Sequence, residues 1–190
     1  MKELIKKRVY DSIKVKEKTL TANLNVVARI AHELITALTK GGKVILFGNG
    51  GSAADCQHVA AELIGRFQNE RKSLAAIALT TDTSIITALG NDYGFDIVFS
   101  RQIEGLARPN DIVIGISTSG NSKNIIAGIA QAKKMGLKTV SLTGCGGGML
   151  APLSDISLVV SSNVTARVQE AHICFLHIIC ELVEKNFYKK

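Results

Sequence analysis

The chain has no tryptophan, two prolines, and aromatic residues at only 5% of its 190 positions. It also lacks any Cys-x-x-Cys pair: Cys56, Cys145, Cys174 and Cys180 stand apart, without the paired spacing of a structural zinc site. A disulfide framework and a zinc ribbon are thereby excluded, and four reduced thiols in a cytosolic protein are expected. No apolar run approaches the ~20 residues needed to cross a bilayer. The amino-terminal MKELIKKRVY is basic but is not followed by an apolar stretch of signal-peptide type. The expectation is a soluble, cytoplasmic protein with no membrane partner. The scarcity of aromatics also bears on the net charge of +7, which would suit a phosphate backbone if it were focused on one face. It is not focused. Lys2, Lys6, Lys7, Lys14, Lys16 and Lys18 come early and Lys185, Lys189 and Lys190 come last, a distribution that reads as solvated helix faces and not as a nucleic-acid surface.

What is present is apolar bulk: 46% hydrophobic residues in a chain of single-domain length, enough to bury about 70% of the unfolded surface without a metal or disulfide. Residues 1–190 are expected to form one domain, with helices over 1–40 and an α/β core over 41–190. From Lys2 to about Lys40 turn residues are few and Leu24, Val27, Ile30, Ile35 and Leu38 are spaced helically, predicting two helices or one broken helix. Gly41 and Gly42 end that pattern. Lys43 to Phe47 is short, apolar and β-branched, as a strand covered on both faces should be. Similar runs recur at Ala75 to Leu79, Asp111 to Ile116, Lys138 to Leu142 and Ile156 to Val160, separated mostly by segments long enough for crossover helices. Such alternation predicts a five-stranded parallel sheet. A last helix is expected from about Thr165 to Tyr188, capped by Asn163 or Thr165.

In an open α/β sheet, ligands bind beyond the carboxyl ends of the strands. Two loops there stand out. Gly48, Asn49, Gly50, Gly51 and Ser52 follow the first strand and precede a helix expected near Ala53; they match neither the dinucleotide pattern nor the P-loop, and a plain tight turn is the competing reading. The second loop follows the Asp111 to Ile116 strand and sets Ser117, Thr118, Ser119 and Ser122 around Gly120. One hydroxyl would cap a helix. Four in six residues suit a phosphate, held by hydroxyls and by a helix amino terminus whose dipole favours an anion.

Further along, His58 and Glu62 are four residues apart, so they share a helix face about 6 Å apart along the axis. They suit metal binding or proton transfer; a solvent-facing polar pair is the alternative. Gln169 and His177 are eight apart, roughly 12 Å along the last helix, and cannot simply share one spot. His177, flanked by Phe175, Leu176, Ile178 and Ile179, reads from its neighbours as a buried structural histidine, and His172 likewise. Gly90, Asn91 and Asp92 read as a loop.

The segments KVILFGNGGSAAD, GNDYGFDIVFSRQIE, IVIGISTSGNSKNI and RVQEAHICFLHIICELVE resemble those of the sedoheptulose 7-phosphate (phosphoheptose) isomerase family of the SIS, or sugar isomerase, fold. The resemblance covers almost the whole chain. It implies a three-layer, flavodoxin-like α/β sandwich with an amino-terminal helical extension. It also implies conversion of sedoheptulose 7-phosphate to D-glycero-D-manno-heptose 7-phosphate through an enediol, at the start of bacterial heptose synthesis for lipopolysaccharide or other surface glycans. By the same resemblance the catalytic pair is Glu62 and His177, and the ligands of one zinc ion per subunit are His58, Glu62, Gln169 and His177. Substrate contacts are Asn49, Gly50, Gly51, Ser52, Glu62, Asn91, Asp92, Ser117, Thr118, Ser119, Ser122 and Gln169. A homotetramer with sites near its interfaces and no nucleotide cofactor complete the implication. The competing classes are a non-catalytic SIS protein that binds the replication initiator, and a sugar-phosphate sensor. A sensor of this fold would carry a DNA-binding domain, and the first ~40 residues hold no convincing recognition helix.

Overall fold

The computed structural model describes residues 1–188; Lys189 and Lys190, counted above among the basic helix-face residues, lie outside the described residues. Five strands, β1 (Val44–Gly48), β2 (Ala76–Ala78), β3 (Ile112–Ser117), β4 (Lys138–Thr143) and β5 (Ile156–Val159), form one parallel sheet in the order β2-β1-β3-β4-β5. Each lies within a residue of the apolar run that predicted it. Val44 pairs with Ala76 on one side and Ile112 on the other, which fixes the register about the central strands.

Successive side chains of a strand point to opposite faces, and the two cores follow from that alternation. Val44 and Leu46 join Ile112, Ile114 and Ile116 under α1 (Lys2–Thr39), α2 (Gly51–Ile64) and α7 (Thr165–Phe187). Ile45, Phe47 and Val113 face the other way, under α4 (Val98–Leu106), α5 (Lys123–Lys134) and the short α6 (Leu150–Leu153). The result is the three-layer α/β/α sandwich expected, with α3 (Thr83–Tyr93) riding on the second helical layer.

The amino-terminal segment departs from expectation. It is one unbroken helix, because no glycine or proline occurs from Lys2 to Thr39; Gly41, at φ 78°, supplies the stop. Its buried apolar residues, Val27, Ile30, Ala31, Leu34 and Ala37, all lie in the second half, while the first half buries only the polar Ser12 and Thr19. Leu24, expected on the apolar face, is exposed, while Thr19 and Asn23 turn inward: Asn23 donates to the Val159 carbonyl at 3.2 Å and the Ser161 N–H donates to Thr19 Oγ1 at 3.1 Å. Two further corrections concern helix starts. α2 opens at Gly51, ahead of Ala53, and α7 is preceded by Val164 with no side-chain cap, so neither Asn163 nor Thr165 caps it. Among the described residues, no helix is long and apolar enough to cross a membrane.

Candidate active site

The strand order reverses direction between β1 and β3, and an open sheet of this kind offers its ligand crevice at that switch point. Both candidate loops leave the carboxyl ends of these two strands. They are tied by a reciprocal amide pair, Asn49 Nδ2 to Asn124 Oδ1 and Asn124 Nδ2 to Asn49 Oδ1, both 2.9 Å. Asn124 is buried and was missed in the sequence, where it reads as one more polar residue of the loop.

In the glycine loop, Gly50 adopts φ 55°, and Gly51 leaves room for the Gln169 amide: a Cβ there would stand 2.6 Å from its Nε2. Ser52 is buried behind the turn. In the serine loop, Ser117 Oγ lies 3.0 Å from Ser122 Oγ and 3.5 Å from Ser119 Oγ, so three hydroxyls converge where α5 begins. Ser122 is the residue before α5, but its side chain makes no bond to that helix; its carbonyl accepts from Ile125 and Ile126 N–H, and the two N–H groups before them have no partner within the helix. Thr118 is half-buried beside them. The loop is clasped from behind: the Gly144 N–H donates to the Thr118 carbonyl, Leu150 N–H to Gly120, and Met149 N–H to Asn121 Oδ1. Gly120 has φ 68° and backs directly onto the Gly147 carbonyl, so no side chain fits there.

A second group of side chains forms between α2 and α7. His58 Nε2 is 2.9 Å from Glu62 Oε1 and 3.1 Å from His177 Nε2; the two rings are 4.9 Å apart, and Phe67 covers His177 at 5.7 Å. His177 is therefore only half-buried and faces α2; the fully buried structural histidine is His172, bonded to the Thr143 carbonyl at 3.1 Å. Burial holds the His172 ring neutral, its pKa lowered to about 4 against a partial upward pull from that carbonyl. Gln169 is not with the histidines. It stands over Gly51, at the loop end of the same helix pair and roughly 12 Å from His177 along α7.

The donor set of this group suits a divalent cation. Ligands about 2.0–2.1 Å from a tetrahedral zinc stand about 3.3 Å from one another. The separations around His58 Nε2 are close to that, and two imidazole nitrogens facing each other are better held by a cation than by a single proton. Asp55, one turn before His58, has a buried Oδ2 without a partner; burial pushes its carboxyl up, and His58 offsets this in part. Its place on the Gly51, Asp55, His58, Glu62 stripe of α2 was readable at helical spacing. Beneath the group, burial and then the Glu62 charge push the Cys180 thiol up to about 12, so it stays protonated. Asn91 and Asp92 form no loop: they end α3, with Asn91 Nδ2 donating to Asp92 Oδ1 at 2.8 Å, and Gly94, at φ 87°, makes the turn after them.

Residues 8–144 match the SIS domain model. The chain is 52% identical to a phosphoheptose isomerase of Sulfurimonas denitrificans, over 99% of this chain and 97% of that one. It is 51% identical to that of Aquifex aeolicus, over 97% of each. The chain belongs to the phosphoheptose isomerases of the SIS domain family. Among solved structures, phosphoheptose isomerase from Neisseria gonorrhoeae superposes with a TM-score of 0.92 at 41% identity, over 97% of this chain and 98% of that one. As a phosphoheptose isomerase the protein is an enzyme. The span matched by the SIS model ends before α7, so Gln169 and His177 lie in the part that the full-length relatives share.

Proposed function

We propose that the chain, acting over residues 1–190 as one SIS domain in the cytoplasm, isomerises sedoheptulose 7-phosphate to D-glycero-D-manno-heptose 7-phosphate for bacterial surface-glycan heptose. The observation that carries this reading is the convergence of His58, Glu62 and His177 on one point, on the helix that opens at the glycine loop, which Asn49 and Asn124 tie to the hydroxyl-lined start of α5. His58 lies about 10 Å along α2 from Gly51. A seven-carbon sugar phosphate is of that order in length, and the proposal sets its phosphate among Ser117, Thr118, Ser119 and Ser122 and C1 and C2 near Glu62. Asn49, Gly50, Gly51, Ser52, Gln169, Asn91 and Asp92 are the proposed contacts to the hydroxyls in between.

Ketose and aldose interconvert by moving a proton between C1 and C2, so one base must reach both carbons and an acid must serve the oxygens. Glu62 is the base. Its Oε1 faces His58, which leaves Oε2 for the carbon-bound proton. His177, held by Phe67 and free on one edge, exchanges the protons of O1 and O2. His58, Glu62 and His177 would hold one zinc ion per subunit, which when bound supplies a Lewis acid for the carbonyl oxygen. Gln169 completes that set only from a second copy of the chain, given its distance from His177. The exposed Leu4, Ile5, Val9, Tyr10, Ile13, Leu20 and Leu24 on α1 support the homotetramer that this requires. Four free cysteines accord with a reducing compartment.

Incubating the protein with sedoheptulose 7-phosphate in heavy water, with and without a chelator, tests the reading. Aldose formation with deuterium on C2 is expected; no aldose under either condition would sink it. Chelator-insensitive turnover by metal-free protein would remove zinc from the proposal.

A further inference from the structure

α2 ends with its last carbonyls unpaired by the helix itself, as every helix does, and no basic residue lies in its last turn. A guanidinium from outside supplies the missing donors. Arg71 Nη2 donates to the Glu62 carbonyl at 2.8 Å, and its Nη1 donates to those of Leu63 at 2.9 Å and Gly65 at 3.3 Å. The charge is thus placed at the negative end of the α2 dipole. Its counter-ion, Glu184, comes from α7, seven residues and so two turns after His177 on the same face. Both side chains are 1% exposed, with Arg71 Nε 3.4 Å from Glu184 Oε1.

Glu184 does more than neutralise Arg71. Its two oxygens accept from the N–H groups of Phe67, Gln68 and Asn69 at 2.8, 2.9 and 2.8 Å, and from Asn69 Nδ2 at 3.0 Å. One α7 carboxylate therefore gathers the loop that follows α2, and that loop presents Phe67 to the His177 ring. Burial alone would raise this carboxyl; the hydrogen bonds outweigh it and hold it below the usual carboxylate range. An unpaired charge left in such a place is costly, so both partners hold each other to one geometry.

We propose that Arg71 and Glu184 are a positioning pair that sets the register of α2 on α7, and with it the mutual spacing of His58, Glu62 and His177. The pair grips the backbone of Glu62 itself on one side and the backing of His177 on the other. Neither side chain reaches substrate. The consequence for turnover rests on the reading of that group as the catalytic one; the consequence for its geometry does not.

The experiment compares Arg71→Lys, Glu184→Gln and Asn69→Ala with wild type. Lysine keeps the charge but loses the fork that spans the Glu62, Leu63 and Gly65 carbonyls. Glutamine keeps the shape but presents N–H where backbone N–H groups must be accepted. Asn69→Ala removes one contact and serves if either of the others fails to fold. Ring 1H–15N signals of the histidines are recorded first: those of His58 and His177 are expected to shift, with buried His172 and exposed His32 unchanged. Misplacement by an ångström typically costs up to ~10²-fold, so kcat should fall about 10- to 100-fold with KM within about twofold in Arg71→Lys and Glu184→Gln, and a few-fold in Asn69→Ala. Folded variants with wild-type ring signals and wild-type kcat would overturn the proposal. A general loss of fold that shifts all four histidines together would overturn it too, since that is plain stabilisation. If wild type itself does not turn over, the functional reading fails, and the ring signals decide the positioning claim by themselves.

Discussion

The serine loop and the helix-pair group are built in opposite ways. Ser117, Ser119 and Ser122 meet within six residues, at a junction whose geometry is set by one strand, one turn and one helix start. His58 and His177 meet across 119 residues of sequence, and only because α2 and α7 pack side by side. A loop of the first kind can recognise an anion in any protein of this fold. The second kind is the proposed seat of the chemistry, and it depends on everything that keeps two helices in register.

If that contrast holds, substitutions in the helix-pair group should act on kcat and substitutions in the loop on KM. The largest effect is expected for Glu62→Gln, which keeps shape and removes the proposed base: kcat should fall about 10²- to 10⁴-fold and deuterium incorporation with it, while KM changes little. Full activity in this variant would break the comparison at its strongest point. Gly120→Ala comes next, because the added Cβ meets the Gly147 carbonyl at a positive φ. A loss of about 2–4 kcal/mol of stability is expected from thermal unfolding, together with a raised KM.

A pH titration of stability sharpens the comparison by separating the third histidine from the two that face each other. His172 has a folded pKa of about 4 against 6.5 when free, so below pH 6.5 the unfolded chain takes up a proton that the folded one refuses. Stability should be insensitive to this group above pH 6.5 and should fall by about 3 kcal/mol as pH drops from 6.5 towards 4. Urea unfolding at a series of pH values measures it, and His172→Gln should flatten that part of the profile. The smallest effect is expected for Ser122→Ala, which removes one hydroxyl of three: about 1 kcal/mol, or a roughly five-fold rise in KM, with kcat unchanged in steady-state assays.

Much of this could be read in advance wherever the cause was local. The strands were visible because a sheet covered on both faces needs continuous apolar runs, and Val44 to Phe47 or Ile112 to Ile116 can be little else. The His58 and Glu62 pair was visible because four residues of helix fix a distance. Expectations failed where a distant neighbour decides. Leu24 has the right spacing to be buried, but it sits about 100° round the helix from Asn23, and it is Thr19 and Asn23 that take the inward positions by bonding to the end of β5. His177 has apolar neighbours in sequence, but at 100° per residue Phe175, Leu176 and Ile179 turn into the core and Ile178 to solvent, while His177 points to α2. Glu184 and Arg71 gave no sign at all.

The amino-acid sequence by itself therefore determined the parallel α/β fold, the two carboxyl-end loops and the hydroxyl-rich character of the second. Each of these follows from periodicity, turn chemistry and hydroxyls within a few residues of one another. Only the tertiary structure decided that His58, Glu62 and His177 share one point. It also placed a buried ion pair, Arg71 with Glu184, between the end of α2 and α7. Helix geometry fixes spacing along one axis, and the distance between two axes is set by packing, which no short stretch of sequence contains.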